Sequence, residues 1–184
     1  MIQNVLCFLE ESAEAYPHKT AFADEHTSLT YRRLSDLSMR IGSVLGQKTG
    51  PRRPVPVLAE KNVFTLTAFM GIVRAGCFYV FLDAGQPAER LNRILDTLQA
   101  DLMIADKESL SLAGPVSFSG EILPLEDLMS LPDDALNPGL LASIRRQSTD
   151  TDPLYGIFTS GSTGVPKGVV ASHRSVIDFI GHFT

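Results

Sequence analysis

Residues 55–83 read VPVLAEKNVFTLTAFMGIVRAGCFYVFLD, and the fold turns on this stretch. Val55-Pro56-Val57-Leu58 is short and apolar throughout, as a strand covered on both faces must be. Asn62 is a capping residue placed before Val63 to Ala75, whose apolar spacing predicts a helix. Cys77 to Leu82 then reads as the next strand. Strand, helix and strand in about 30 residues make the βαβ unit of a parallel sheet. The pattern continues downstream. Pro87 sits where a helix starts, Leu91, Ile94, Leu95 and Leu98 line one face, and Leu102-Met103-Ile104 forms a third buried run. The expectation is an α/β fold with a mainly parallel sheet flanked by helices.

Upstream, a helix is expected over about Gln3 to Tyr16, ended by Pro17, which restricts the residue before it and donates no hydrogen bond. A short strand at Ala21 to Ala23 follows. Leu34, Leu37, Ile41 and Leu45 recur at helical spacing behind Thr30, which predicts an amphipathic helix over 30–47 with Thr30 as its cap. Beyond the third strand, Glu108 to Pro153 carries Pro115, Pro124, Pro132 and Pro138 and reads as loop with short elements. Order resumes with a strand at Leu154 to Phe158, a Gly/Ser/Thr loop, a second strand at Val169-Val170-Ala171 and a helix opening after Ser172. Val176, Ile177, Ile180 and Phe183 share a face of that helix, and neither a glycine stop nor a proline follows it. Residues 1–184 are therefore expected to form part of one domain, cut rather than finished. No internal repeat or low-complexity tract appears.

The chain has 184 residues and 44% apolar content, enough for a buried core. Its 16 basic and 21 acidic side chains leave a net charge of −5, which offers no electrostatic footprint for nucleic acid or an anionic membrane. Cys7 and Cys77 lie far apart with no CxxC pair, so no metal or redox centre is expected and a reducing, cytoplasmic location is the simplest home. The amino terminus lacks the basic start of a signal peptide, and Val63 to Val73 is too short to span a bilayer.

The chemistry sits at Thr159-Ser160-Gly161-Ser162-Thr163-Gly164-Val165-Pro166-Lys167-Gly168. Three glycines let the backbone turn tightly and gather amide hydrogens, the hydroxyls donate to phosphate oxygens, and Lys167 supplies a point charge. That combination is a polyphosphate cradle. It is not a Walker A loop, because Pro166 stands where a glycine precedes the lysine and Gly168 where a magnesium-binding hydroxyl follows it. A small P-loop kinase is disfavoured accordingly. The plain alternative is the turn of a β-hairpin, for which the same residues are ordinary.

This loop resembles the YTSGSTGxPKG motif of the adenylate-forming (AMP-binding) superfamily, with Phe158 in the aromatic position. Leu29-Thr30-Tyr31-Arg32-Arg33-Leu34 is similar to the family's LTYxEL block, and Val73 to Asp83 to its LKAGxAYVPxD block. Pro87-Ala88-Glu89-Arg90-Leu91 resembles the PxERL segment of amino-acid-activating members, which points to the amino-terminal part of a nonribosomal peptide synthetase adenylation domain. Two departures stand out. Arg33 replaces a glutamate and removes the acidic arm of a capping box, and Phe81 replaces a proline inside a strand.

The resemblance implies a ligase that activates a carboxylic acid as acyl-AMP using Mg·ATP, releases pyrophosphate and passes the acyl group to a pantetheine thiol of a carrier protein. On it, Thr159, Ser160, Ser162 and Thr163 donate to the β and γ phosphates, Gly161, Gly164 and Gly168 shape the backbone, and Lys167 screens the leaving pyrophosphate. ATP and Mg2+ belong to the complete enzyme. The residues for adenine, magnesium, ribose and substrate, and the catalytic lysine of the carboxy-terminal domain, are expected beyond Thr184. The chain alone is therefore expected to be inactive and to self-associate through surface left uncovered. An acyl-CoA synthetase, a D-alanine carrier-protein ligase, or a module that binds a nucleotide or partner without turnover remain alternatives.

Other residues read more plainly. His173 opens the last helix, where a nucleotide could approach, although histidine at an exposed helix start is ordinarily just solvated. Asp83 reads as a turn former, Tyr31 and Tyr79 as core or interface aromatics, and Asp150 with Asp152 as a solvated approach to the loop. His18, His26 and His182 show no ligand spacing.

Overall fold

The computed structural model describes residues 2–159 and 166–182. Helix α1 (Leu6–Ala15) leads to a two-stranded antiparallel pair, β1 (Thr20–Ala23) and β2 (Ser28–Thr30). Helix α2 (Tyr31–Lys48) follows, and Thr30 caps it by accepting from the Arg33 amide at 3.3 Å. The βαβ unit then appears as expected: β3 (Pro54–Leu58), α3 (Val63–Arg74) and β4 (Phe78–Leu82). Asn62 caps α3 by accepting from the amides of Phe64 and Thr65, both at 3.0 Å. Helix α4 (Ala88–Leu98) and β5 (Leu102–Ala105) complete the second crossover.

The stretch from 108 to 153 is more ordered than its prolines suggest, and the loop expectation is corrected there. It begins inside α5 (Lys107–Ala113) and contains β6 (Glu121–Pro124), α6 (Leu125–Met129), a single 3-10 turn at Asp133–Ala135, and α7 (Pro138–Gln147). Pro138 opens α7 where its missing N–H costs nothing, and Asn137 accepts from the Leu140 amide at 3.0 Å. β2 is likewise a strand that the periodicity did not predict, and α1 starts three residues later than expected.

The main sheet is ordered β6-β5-β3-β4-β7-β8, where β7 is Pro153–Thr159 and β8 is Lys167–Ser172. The first five strands run parallel and β8 runs antiparallel to β7. Alternating side chains serve two cores. Val55, Val57, Leu102 and Ile104 pack with α2 and α3 on one face, while Leu58, Val80, Leu82, Met103 and Ala105 pack with α4 on the other. Helices α2 and α3 cross so closely that a Cβ on Gly71 would strike the Ile41 side chain, 2.6 Å from its Cβ. Helix α8 (His173–Gly181) closes the described chain, with Val176 against Leu6, Val73 and Leu154. Phe183, expected on its apolar face, lies outside the described residues. Among those residues no helix is long and apolar enough to cross a membrane.

Candidate functional site

The loop begins at the carboxyl end of β7, which runs parallel to β3 and β4. Open α/β sheets bind ligands beyond the carboxyl ends of their strands. Strands β7 and β8 pair from Tyr155 with Ala171 through Ile157 with Val169 to Thr159 with Lys167. Thr159, Lys167 and Gly168 are therefore strand residues, and the connection proper is shorter than the ten positions read from the sequence. Ser160, Gly161, Ser162, Thr163 and Gly164 lie outside the described residues. The hairpin alternative is correct for the topology: the motif joins two antiparallel strands.

The register fixes which groups share a face. Thr159 and Lys167 are directly opposite, so their side chains rise on the same side of the sheet with Cβ atoms roughly 5 Å apart. That side is the α3 side. Tyr155, two rungs down the same face, stacks on Tyr79 at 5.9 Å, and Tyr79 stacks on Phe69 of α3 at 4.1 Å. Phe158 and Gly168 occupy the other side. The Phe158 ring packs with the α4 core and lies over Gly168, where a Cβ would stand 3.1–3.2 Å from ring atoms. A bare α-carbon lets that rung close.

The acids before the loop are not solvated as expected. Asp150 is paired with the Arg174 guanidinium through two bonds of 2.8 and 2.9 Å, which hold its carboxyl below the usual range. Burial pushes the Asp152 carboxyl up, but bonds from Arg52 at 2.8 Å and from Thr149 outweigh it and leave it lowered. Both acids sit at the amino end of β7, roughly 20 Å of strand from Thr159. They brace α8 and do not oppose an anion at the loop.

His173 is corrected in the same way. It is buried, 3% exposed, and its Nδ1 accepts the Val5 N–H at 3.3 Å. Burial pushes its pKa down to about 4. A neutral, bonded core histidine is not a nucleotide contact. Asp83 is the expected turn former, accepting from the Gly85 amide at 2.9 Å, and it borders a cleft of about 490 Å³ with Glu60, Lys61 and Glu108. Tyr79 is a core aromatic. Two positioning groups escaped the sequence reading. Asp106 accepts from the amides of Glu60 at 2.7 Å and Ser109 at 2.6 Å, fixing the exits of β3 and β5. Arg90 reaches from α4 to the Phe158 carbonyl at 3.4 Å. Asp106 follows an apolar strand and precedes a helix, a capping signature that was legible; the reach of Arg90 was not.

Residues 9–183 match the family described as AMP-binding enzyme. The chain belongs to that family. This AMP-binding chain is 38% identical over 168 residues to surfactin synthase subunit 1 of Bacillus subtilis (strain 168), covering 91% of its own length and 4% of that protein. It is 30% identical over 175 residues to tyrocidine synthase 1 of Brevibacillus parabrevis, covering 95% of itself and 16% of that protein. It thus spans a small part of these relatives. Among solved structures, the nonribosomal peptide synthetase FmoA3 in its alpha-methyl-L-serine-AMP bound form matches with a TM-score of 0.79 at 25% identity, over 96% of this chain and 18% of that one. The N-terminal subdomain of Klebsiella oxytoca NpsA matches with a TM-score of 0.78 at 18% identity, over 95% of this chain and 42% of that one. The NpsA likeness concerns the fold alone.

Proposed function

We propose that this AMP-binding chain supplies the triphosphate-gripping part of an ATP-dependent adenylating ligase. A carboxylate oxygen attacks the α-phosphorus of Mg·ATP, the bond from that phosphorus to the bridging oxygen breaks, and pyrophosphate leaves with the electron pair. The acyl group then passes from AMP to a pantetheine thiol of a carrier protein. An amino acid is the proposed acid, on the strength of the PxERL-like segment and the similarity to surfactin and tyrocidine synthases.

One observation carries the reading: Thr159 and Lys167 face each other on the last rung of the β7–β8 ladder, at the carboxyl edge of a parallel sheet. A hydroxyl donor and an ammonium side by side suit an anion, and Asp150 and Asp152, at the far end of β7, are engaged elsewhere. ATP therefore fits the groups present. Thr159 would donate to β or γ oxygens, and Lys167 would neutralise charge as pyrophosphate departs. Ser160, Gly161, Ser162, Thr163 and Gly164 are proposed as further contacts from the sequence, with Gly168 shaping the backbone. Mg2+ would ride on the phosphates; among the described residues no group of three or more His, Cys, Asp or Glu could hold a metal.

Calorimetric titration with Mg·ATP tests the site. A charged hydrogen bond contributes about 1.5–3 kcal/mol, so Lys167→Ala should weaken binding by roughly ten- to a hundredfold. Equal affinity in both proteins would remove Lys167 from the site. Pyrophosphate exchange by the 184-residue chain with a panel of amino acids is expected at background only. Self-association belongs to the same proposal, since Ile157, Val169 and Val170 of the hairpin stand half exposed.

A further inference from the structure

Arg90 lies in the first turn of α4, where a positive charge meets the positive end of the helix dipole and weakens the helix. Its side chain is nevertheless held in one direction. Nε donates to Gln86 Oε1 at 2.7 Å, and Nη2 donates to the Phe158 carbonyl at 3.4 Å. The place of that carbonyl matters. β4 pairs with β7 only at Tyr79–Tyr155 and Val80–Gly156 although it continues to Leu82, so Ile157, Phe158 and Thr159 are paired to β8 on one side and have no ladder partner in β4 on the other. Arg90 takes hold where the ladder stops. On the far side of the same residue, the Phe158 ring closes on Gly168, and Gly168 precedes Val169 and follows Lys167 in β8.

We propose that Arg90 is a positioning residue for the phosphate site: its guanidinium fixes the end of β7 that β4 leaves unpaired and, through the Phe158–Gly168 rung, the placement of Lys167. The charge that costs the helix something fixes the strand end against which it bonds. The effect on ATP rests on the function proposed above; the effect on the rungs does not.

Amide hydrogen exchange on the 184-residue chain and on Arg90→Ala, Arg90→Lys and Lys167→Ala tests the clamp. Arg90→Ala should speed exchange at residues 157–159 and 167–169 by about tenfold, leaving residues 79 and 80 and the thermal midpoint unchanged. Arg90→Lys should restore part of the protection, since an ammonium can still donate to the carbonyl. A merely structural role in α4 would instead speed exchange along 88–98 and lower the midpoint. Unchanged rungs in Arg90→Ala overturn the proposal. In Mg·ATP titrations Arg90→Ala should weaken binding by about fivefold, with Arg90→Lys between it and wild type. If Lys167→Ala binds like wild type, or if wild type binds nothing, the phosphate reading fails while the exchange result still decides the clamp.

Discussion

β3 and β4 pair along five successive residues, from Pro54 with Phe78 to Leu58 with Leu82, whereas β4 and β7 share only two pairs. Val55 and Val57 of β3 are wholly covered, yet Val169 and Val170 of β8 are each 55% exposed on opposite faces. The same side chain thus serves a core in one place and a bare edge in the other. What separates them is how many layers lie against the strand. The centre has α2 and α3 on one side and α4 on the other; the outer hairpin, where the phosphate site is proposed, is joined to β4 at two residue pairs only. Regions that bind ligands are drawn from the less stable parts of a fold, and this division follows that logic.

Three experiments press on the contrast. Ile104→Ala removes a fully buried side chain from the strand beside β3 and should lower stability by about 2–5 kcal/mol in urea unfolding. A loss below about 1 kcal/mol would mean the centre is no better packed than the edge. The pH dependence of stability comes next. The folded pKa of His173, about 4, lies below the ordinary value near 6.5, so the unfolded chain binds the extra proton first. Stability should therefore hold above pH 6.5, fall as pH drops to about 4, and lose up to about 3 kcal/mol across that window. His173→Gln should flatten the slope in that window; an unchanged slope there would remove His173 as its cause, because Asp150 and Asp152, whose carboxyls are lowered, act in the same direction only at lower pH. The smallest effect belongs to the edge. Val169→Thr should change stability by less than about 0.5 kcal/mol while reducing concentration-dependent light scattering. A clean wild-type monomer across concentration would remove the self-association.

The centre of the fold was legible because it obeys single rules. β3 and β5 are continuous apolar runs, Asn62 and Thr30 cap the helices behind them, and α4 shows one apolar face. The stretch around β6 and α7 reads as loop if every proline is a breaker, but two of its four prolines are terminal signals. Pro124 ends β6 and Pro138 opens α7, where Asn137 before it and Leu140, Leu141 and Ile144 after it could have announced a helix. β6 itself has only one buried side chain, Leu123, and owes its existence to pairing with β5, a non-local cause that four residues cannot state. At the candidate site the residue types were legible but the register was not. Nothing in the local sequence says that Thr159 faces Lys167, that Phe158 closes on Gly168, or that Asp150 and Asp152 are tied by Arg174 and Arg52, partners 24 and 100 residues away.

The bond from the Val5 amide to His173 spans 168 residues. During translation that amide emerges before its acceptor and finds it only after β8 has been made, on the order of ten seconds or more later. Leu6 next to it waits for Leu154 and Val176 in the same way. Helix α1 can meet α2 and α3 soon after they are made, but its amino-terminal end is completed only by β7 and α8. Until then Leu6 stays partly uncovered on the nascent chain, waiting for the side chains that complete its cluster.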